Sequence, residues 1–209
     1  MSASNTRTVS IVVSDSGPLI TLGVLDRLDL LLVPGHDVLI PDFVYFEAAT
    51  KLDRSGALLP GAKEIDDWVY ANRGQVSLSA TPMLRRYVEA FELGRRPDRD
   101  LGERACIHTI RRLVLDPSDV VVLLTEDNAA HRDFQAMNDG RFVTLSSVAF
   151  LRMLESVDVI SSAQTLIDQA RAKSRGLNDT NAVDSRTVEQ ERALQTLLRN
   201  IDANSTGRT

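Results

Sequence analysis

The chain has 209 residues, of which 43% are hydrophobic and 25% charged, a balance that is ordinary for a globular protein with a full core. No apolar stretch approaches the roughly 20 residues that a membrane-spanning helix needs, and the polar start lacks the apolar core of a signal peptide. A single cysteine, Cys106, excludes an internal disulfide. We therefore expect a cytoplasmic protein with no membrane partner.

The first half of the sequence alternates between predicted strands and helices. The run Val9–Val13 is apolar and rich in β-branched residues, which predicts a strand buried on both faces of a sheet. Pro18 is well placed in the first turn of the following helix, where its missing N–H would have no partner. Further elements are expected at 38–40 (strand), 43–47 (helix), 64–72 (helix), 76–78 (strand) and 82–93 (helix).

The second half repeats this alternation. A helix should begin near Asp100 and run to about Leu115, because Asp116-Pro117 stops it, and Val120–Leu124 is a second buried strand. The remaining elements are expected at 129–137 (helix), 142–145 (strand), 146–154 (helix) and 163–173 (helix). The order predicts a three-layer α/β/α fold, with a central and mainly parallel sheet covered by helices.

The composition changes near the C-terminus. We assign residues 1–175 to one domain, and residues 176–209 to a polar linker and an amphipathic C-terminal helix. The apolar stripe of that helix could dock on its own domain, form a dimer or bind a partner; it consists of Leu194, Leu197, Leu198 and Ile201.

Four acidic residues stand where predicted elements begin or end. Asp15 and Asp127 directly follow the two buried strands, and Glu47 and Glu103 lie on predicted helices. Open α/β sheets bind their ligands beyond the carboxyl ends of the strands, so Asp15 and Asp127 should face one crevice. Carboxylates that share a pocket repel unless a cation holds them together, and Mg²⁺ or Mn²⁺ prefers such oxygen ligands.

Each acid also has a structural alternative. Asp15 and Asp127 could cap the helices that follow them, and Glu47 could be a solvated helical side chain. Glu103 could pair with a neighbouring arginine, or Asp100 could replace it as a ligand.

The charge pattern leaves nucleic acid open as a substrate. The net charge of −5 argues against it, but four of the acids would be neutralised by a cation. Residues 85–112 carry eight arginines against five acids, and guanidinium groups suit phosphate contacts. A solvated helix face with internal ion pairs would give the same pattern.

Two segments of the first half resemble the opening of a PIN domain. These are Ile11–Ile20, which contains Asp15-Ser16-Gly17-Pro18, and Leu39–Glu47. The segment Asp100–Ala105 resembles the Gly-Glu element of one branch of the family, and Leu123–Asn128 resembles the strand end that carries the fourth acid. The resemblance extends over about residues 9–155. The family it points to includes the VapC-like toxin ribonucleases.

The resemblance implies a PIN-like fold and a catalytic site. The metal-binding and catalytic acids would be Asp15, Glu47, Glu103 and Asp127, with Ser16 and Asn128 as supporting polar groups. Arg99 and Arg104 would contact the substrate. The activity implied is that of an endoribonuclease dependent on Mg²⁺ or Mn²⁺, which cleaves phosphodiesters of single-stranded or structured RNA with metal-activated water. As a toxin it would have a cognate antitoxin, and the family commonly forms homodimers.

Two other classes of protein compete with this interpretation. A non-catalytic PIN-like interaction or regulatory module would use the same fold without cleaving RNA. A phosphotransfer protein is disfavoured, because Gly17 stands where an aspartyl phosphatase needs its second aspartate.

Overall fold

The computed structural model describes residues 9–13, 15–33, 37–52, 55–113, 119–127 and 142–173, together with 130, 132, 134, 195, 198 and 199. Its centre is a five-stranded sheet in which all neighbouring strands run parallel, as predicted. The strand order is β3-β2-β1-β4-β5. The strands are β1 Val9–Val13, β2 Val38–Pro41, β3 Val76–Ser79, β4 Val120–Leu124 and β5 Phe142–Leu145.

Helices connect and cover these strands. A 3₁₀ helix, Leu28–Leu32, follows the first α-helix and was not predicted. The helices α1 to α7 are Ser16–Leu25, Asp42–Thr50, Ala62–Ala71, Pro82–Glu92, Leu101–Ile110, Ser147–Ser156 and Ala163–Ala172.

The two faces of the sheet have separate cores, which makes the architecture three-layered. Side chains alternate along a strand, so Ile11 and Val13 of β1 join one core while Val12 joins the other. The larger core lies under α1, α2, α3, α6 and α7, and the smaller one contains Cys106 and Ile110 of α5. The predicted α/β/α fold is therefore confirmed.

Among the helix boundaries that differ from the prediction, two have a physical reason in the hydrogen bonds. Helix α1 begins at Ser16, because Asp15 caps it before Pro18 is reached. Helix α5 ends at Ile110 rather than near Leu115, and Arg112 and Leu113 donate to carbonyls three residues back. Such tight turns end an α-helix.

Most of the predicted C-terminal segment lies outside the described residues. Of the stripe, Leu198 is described, and it packs against the larger core. None of the helices in the described part of the chain has the length and apolar character that crossing a bilayer requires.

Candidate functional site

The candidate site lies at the point in the sheet where the strand order reverses. From β1 the chain adds β2 and β3 on one side, and it later adds β4 and β5 on the other. Strands β1 and β4 are therefore neighbours, with Val13 in register with Leu124. The chain leaves these two neighbouring strands toward opposite sides of the sheet, and a crevice opens beyond their carboxyl ends. Asp15 and Asp127 come from these two strand ends.

Asp15 is held by both strands. Its backbone is extended, and its Oδ1 accepts a hydrogen bond from the Gly17 N–H, so it is the N-cap of α1. Its Oδ2 accepts hydrogen bonds from the Thr125 hydroxyl, at 2.7 Å, and from the Glu126 N–H. The carboxylate therefore caps a helix, as the structural alternative predicts, and it also points into the crevice between β1 and β4.

Thr125 and Glu126 follow β4 and contact Asp15 from the other side of the crevice. The buried Thr125 hydroxyl accepts the Asp127 N–H at 3.1 Å, so one side chain contacts both strand-end acids. Glu126 Oε1 accepts the Ser147 N–H at 3.1 Å and so joins the end of β4 to the start of α6. Gly17 leaves room for Glu126, because a Cβ at this position would lie 2.6 Å from Glu126 Cγ and one of the two side chains would have to shift.

Glu47 reaches the same region from α2. Its half-buried carboxylate lies 3.9 Å from the Lys51 ammonium, one helical turn further along. Its Oε2 packs against Gly102, where a Cβ would lie 3.4 Å away. Burial raises the pKa of the Glu47 carboxyl above its ordinary value; Lys51 opposes the shift and the Asp15 carboxylate adds to it. Glu47 and Asp15 are thus close enough to repel each other.

An apolar cluster holds α2, α4 and α5 together beside the acids. Phe43, Met83, Leu101 and Ala105 are buried in it, and the Tyr87 ring meets the Phe43 ring edge-on at 5.6 Å between centroids. This packing aligns Glu47 of α2 with the first turn of α5, which carries Glu103.

A hydrogen-bonded link strengthens the same contact. Asp42, the first residue of α2, accepts the Thr81 hydroxyl at 2.6 Å and the Thr81 N–H at 3.0 Å. Thr81 is the N-cap of α4, so the starts of the two helices are tied together.

All four predicted acids line one cavity of about 270 Å³. Two further carboxylates, Asp98 and Asp100, line it from the loop before α5. The apolar part of the wall comes from the α2–α4–α5 cluster. The complete lining is Asp15, Phe43, Glu47, Tyr87, Pro97, Asp98, Asp100, Leu101, Gly102, Glu103, Asp127 and Ala130. We call this space the acid cavity.

The chemistry of the acid cavity suits a hard divalent cation. Every ionisable side chain in its lining, Tyr87 aside, is a carboxylate, and oxygen ligands are those that Mg²⁺ and Mn²⁺ prefer. Burial, and to a lesser extent the Asp15 carboxylate, raises the pKa of Glu47, and a bound cation would oppose that shift. Within the described ranges, no three His, Cys, Asp or Glu side chains are already clustered as metal ligands. A cation would therefore have to draw the carboxylates inward.

The other predicted site residues lie elsewhere. Ser16 is the first residue of α1, next to Asp15, but it does not line the acid cavity. Asn128 lies outside the described residues. Arg104 pairs with Asp98 at 3.3 Å, and Arg99 is exposed in the preceding loop; neither lines the acid cavity.

The sequence interpretation missed three residues at the site: Thr125, Glu126 and Asp98. Thr125-Glu126 lies in the strand-end segment, so its position was visible, but its contacts with Asp15 depend on the pairing of β1 with β4. Asp98 was counted only as one of the five acids of residues 85–112.

Comparison with known proteins identifies a family. A family profile described as a PIN domain matches residues 11–132, more than half of the chain. The matched range includes Asp15, Glu47, Glu103 and Asp127. No curated protein and no solved structure matches the chain.

Proposed function

We propose that this chain, which belongs to the PIN domain family, is a metal-dependent endoribonuclease. PIN domains are generally nucleases, so the fold is of a nuclease type. The observation that carries the finer proposal is the acid cavity. Its four predicted acids come from four separate segments of the chain and line one space at the crevice between β1 and β4.

The proposed roles follow from how each acid is held. Asp15 is oriented by hydrogen bonds from Gly17, Thr125 and Glu126, so its carboxylate is preorganised before a ligand arrives. Asp127 is exposed at the mouth of the cavity, where a polymeric substrate can reach it. Glu47 and Glu103 face these two from the helical side and would complete the ligand set.

Mg²⁺ or Mn²⁺, when bound, would lower the pKa of a water molecule and neutralise charge on the phosphoryl oxygens. The protein contributes the orientation of the ligands and an apolar wall. Tyr87 forms part of that wall, and a partly exposed aromatic ring in such a position can stack on an unpaired base. This favours single-stranded RNA over a duplex, whose bases are already stacked.

Substitution of Asp15 tests the enzyme directly. Asparagine caps helices about as well as aspartate, so Asp15→Asn should fold while losing one negative ligand. We expect Mg²⁺- or Mn²⁺-dependent cleavage of single-stranded RNA to fall by more than the roughly 10- to 100-fold typical of losing an outer-shell partner. Asp67→Asn removes an equivalent charge from the exposed face of α3 and should cleave like the wild type. Cleavage that survives EDTA, or an Asp15→Asn enzyme of full activity, would refute the proposal.

A toxin role within a toxin–antitoxin pair, with a cognate antitoxin, is a further part of the proposal. Its support is the resemblance of Asp100–Ala105 to the Gly-Glu element of the VapC-like branch. Expression of the wild type should arrest growth, Asp15→Asn should not, and a small protein encoded next to the gene should restore growth. If Asp15→Asn arrests growth as strongly as the wild type, the competing interpretation is correct and the chain is a non-catalytic interaction module.

We also propose a homodimer. The support is a pair of large apolar side chains left exposed on α4, namely Val88 and Phe91. Analytical ultracentrifugation of the wild type and of Phe91→Ser would test this.

A further inference from the structure

A second cavity, of about 320 Å³, lies beside the acid cavity at the C-terminal end of α4. Three arginines line it: Arg86 from α4 itself, and Arg95 and Arg96 from the loop that follows. The rest of the lining is Glu89, Ala90, Leu93 and Asp98. We call this space the arginine cavity. Asp98 lines both cavities, so they share a wall.

The end of α4 brings the three arginines together. Gly94 has a left-handed backbone (φ 64°), its N–H donates to the Phe91 carbonyl, and the Arg95 N–H donates to the Ala90 carbonyl. These two bonds are the Schellman pattern, which ends a helix and turns the chain back along it. Arg95 and Arg96 therefore lie on the same side of α4 as Arg86, and the three positive charges share one surface.

The charges of these arginines are not balanced locally. Arg85 pairs with Glu89 at 3.5 Å, and Arg104 pairs with Asp98 at 3.3 Å, so both acids of the lining are engaged by arginines from outside it. Within the described part of the chain, no carboxylate lies within ion-pair distance of Arg86, Arg95 or Arg96. Three exposed guanidinium groups in one concave site favour an anionic ligand.

The neighbouring acid cavity indicates which anion this is. The loop of residues 94–100 forms part of both walls, with Asp98 between them. A strand whose scissile phosphodiester lies in the acid cavity can continue past Asp98 into the arginine cavity. Arginine binds phosphate through two parallel hydrogen bonds, which suits a strand that must be held without regard to its bases.

We propose that the arginine cavity binds a backbone phosphate of single-stranded RNA next to the bond that is cleaved. This inference rests on the proposed function, since it assigns the path of the same substrate. It also replaces the expected substrate contacts of Arg99 and Arg104 with Arg86, Arg95 and Arg96 as the principal ones. Arg104 then has an indirect role, because it engages Asp98 and leaves the cavity more positive.

Binding of RNA without cleavage is the main test. All proteins in this test carry Asp15→Asn, which prevents turnover, so the reference protein is Asp15→Asn alone. Each protein is titrated into a fluorescein-labelled 12-nucleotide RNA at several salt concentrations, and binding is followed by fluorescence anisotropy. Each phosphate contact on a single strand contributes about 0.7 to the slope of log K against log salt. Arg95→Gln with Arg96→Gln should therefore reduce the slope by about 1.4 and weaken binding at 0.1 M salt by roughly 10- to 30-fold.

A matched control is available in the same arginine-rich stretch. Arg111 and Arg112 are also consecutive and exposed, and they follow the far end of α5 rather than lining either cavity. Arg111→Gln with Arg112→Gln makes the same change in net charge and should leave both the affinity and the slope close to the wild-type values. Equal losses in the two double variants would mean that only overall charge matters, and would overturn the proposal.

Cleavage by the protein with Asp15 intact separates this proposal from the function itself. A dinucleotide has one phosphodiester and cannot occupy both cavities, so Arg95→Gln with Arg96→Gln should raise KM for the 12-nucleotide RNA and not for the dinucleotide. Unchanged binding and KM in that variant, together with wild-type cleavage, would refute the arginine cavity and leave the nuclease intact. A wild type that binds RNA through these arginines without cleaving it would refute the nuclease and retain the arginine cavity.

Discussion

The hydroxyl group of Thr125 connects the two acids that follow the central strands. It donates to Asp15 Oδ2 at 2.7 Å and accepts the Asp127 N–H at 3.1 Å, and the side chain is buried. Both acids therefore depend on a residue that is itself uncharged. If these acids bind a metal ion as proposed, Thr125 is an outer-shell partner, a kind of residue that orients the ligands and supports metal affinity.

Thr125→Val, which has nearly the same shape, removes both hydrogen bonds. We expect Mn²⁺ affinity to fall by roughly 10- to 100-fold and the free energy of unfolding to fall by about 1–2 kcal/mol, because two part-buried hydrogen bonds are lost. Isothermal titration calorimetry and chemical denaturation measure these quantities. Thr125→Ser retains the hydroxyl and should recover most of the affinity. Wild-type affinity in Thr125→Val would contradict the coupling.

Whether the role of a single residue could be predicted depended on whether its contacts are local or distant in the sequence. Asp15 and Asp127 could be assigned because each follows a continuous apolar strand, a pattern that is local in sequence. Thr125 could not, since its partner Asp15 is 110 residues away and is reached only through strand pairing.

At the scale of elements, α1 and α3 approach each other at two glycines. A Cβ on Gly23 would lie 2.9 Å from the Gly61 carbonyl oxygen and 3.0 Å from Ile65 Cγ1. Gly61 has φ +83°, and a Cβ on it would lie 2.7 Å from the Val24 nitrogen. Backbone contact at this point places α3 directly on α1, whose first residue follows Asp15.

Gly23→Ala should disturb this contact although alanine is the better helix former. We expect a loss of about 1–3 kcal/mol in the free energy of unfolding, because the added methyl overpacks a closed interface. That loss should lower the melting temperature by several degrees, at roughly 2–4 °C for each kcal/mol in a chain of this size. Gly74→Ala, where a Cβ meets nothing within 4 Å, is the control and should change stability little. If Gly23→Ala is more stable than the wild type, the interface between α1 and α3 accommodates the methyl group without cost, and the prediction is wrong.

The helices were predicted with unequal success. Helix α4, whose start carries a local signal in the Thr81-Pro82 pair, was located to within a residue. The end of α5 was placed about five residues late, since proline marks where a helix cannot continue and not where packing ends it.

At the scale of the whole molecule, the acid cavity concentrates negative charge in a chain whose net charge is already −5. Six carboxylates line this one space, and the pKa of Glu47 is raised by burial and by Asp15. A raised pKa means that the folded protein binds this proton more tightly than the unfolded chain does. The corresponding stability is fully present below the ordinary pKa of glutamate and is lost as the pH rises through the raised value.

The melting temperature of the metal-free protein should therefore respond to pH through Glu47. In EDTA, we expect Glu47→Gln to be more stable than the wild type at pH 7.5, and this advantage should disappear as the pH falls below the ordinary pKa of glutamate. Millimolar Mg²⁺ should raise the melting temperature of the wild type at pH 7.5 and that of Glu47→Gln by less. Glu64→Gln removes an exposed charge from α3 and serves as the control. If the melting temperatures of the wild type and Glu47→Gln depend on pH in the same way, the raised pKa does not belong to Glu47.

The sequence by itself determined the fold class and the family, and it predicted the four acids of the candidate site. These rest on local patterns: apolar runs of strand length, helix-start residues, and motifs whose order along the chain is informative. Only the tertiary structure decided that four such acids line one cavity with Asp98 and Asp100, that Thr125 couples two of them, and that three arginines form a second cavity beside it. The physical reason is that these relations are set by strand order and helix packing, which bring together residues far apart in the chain.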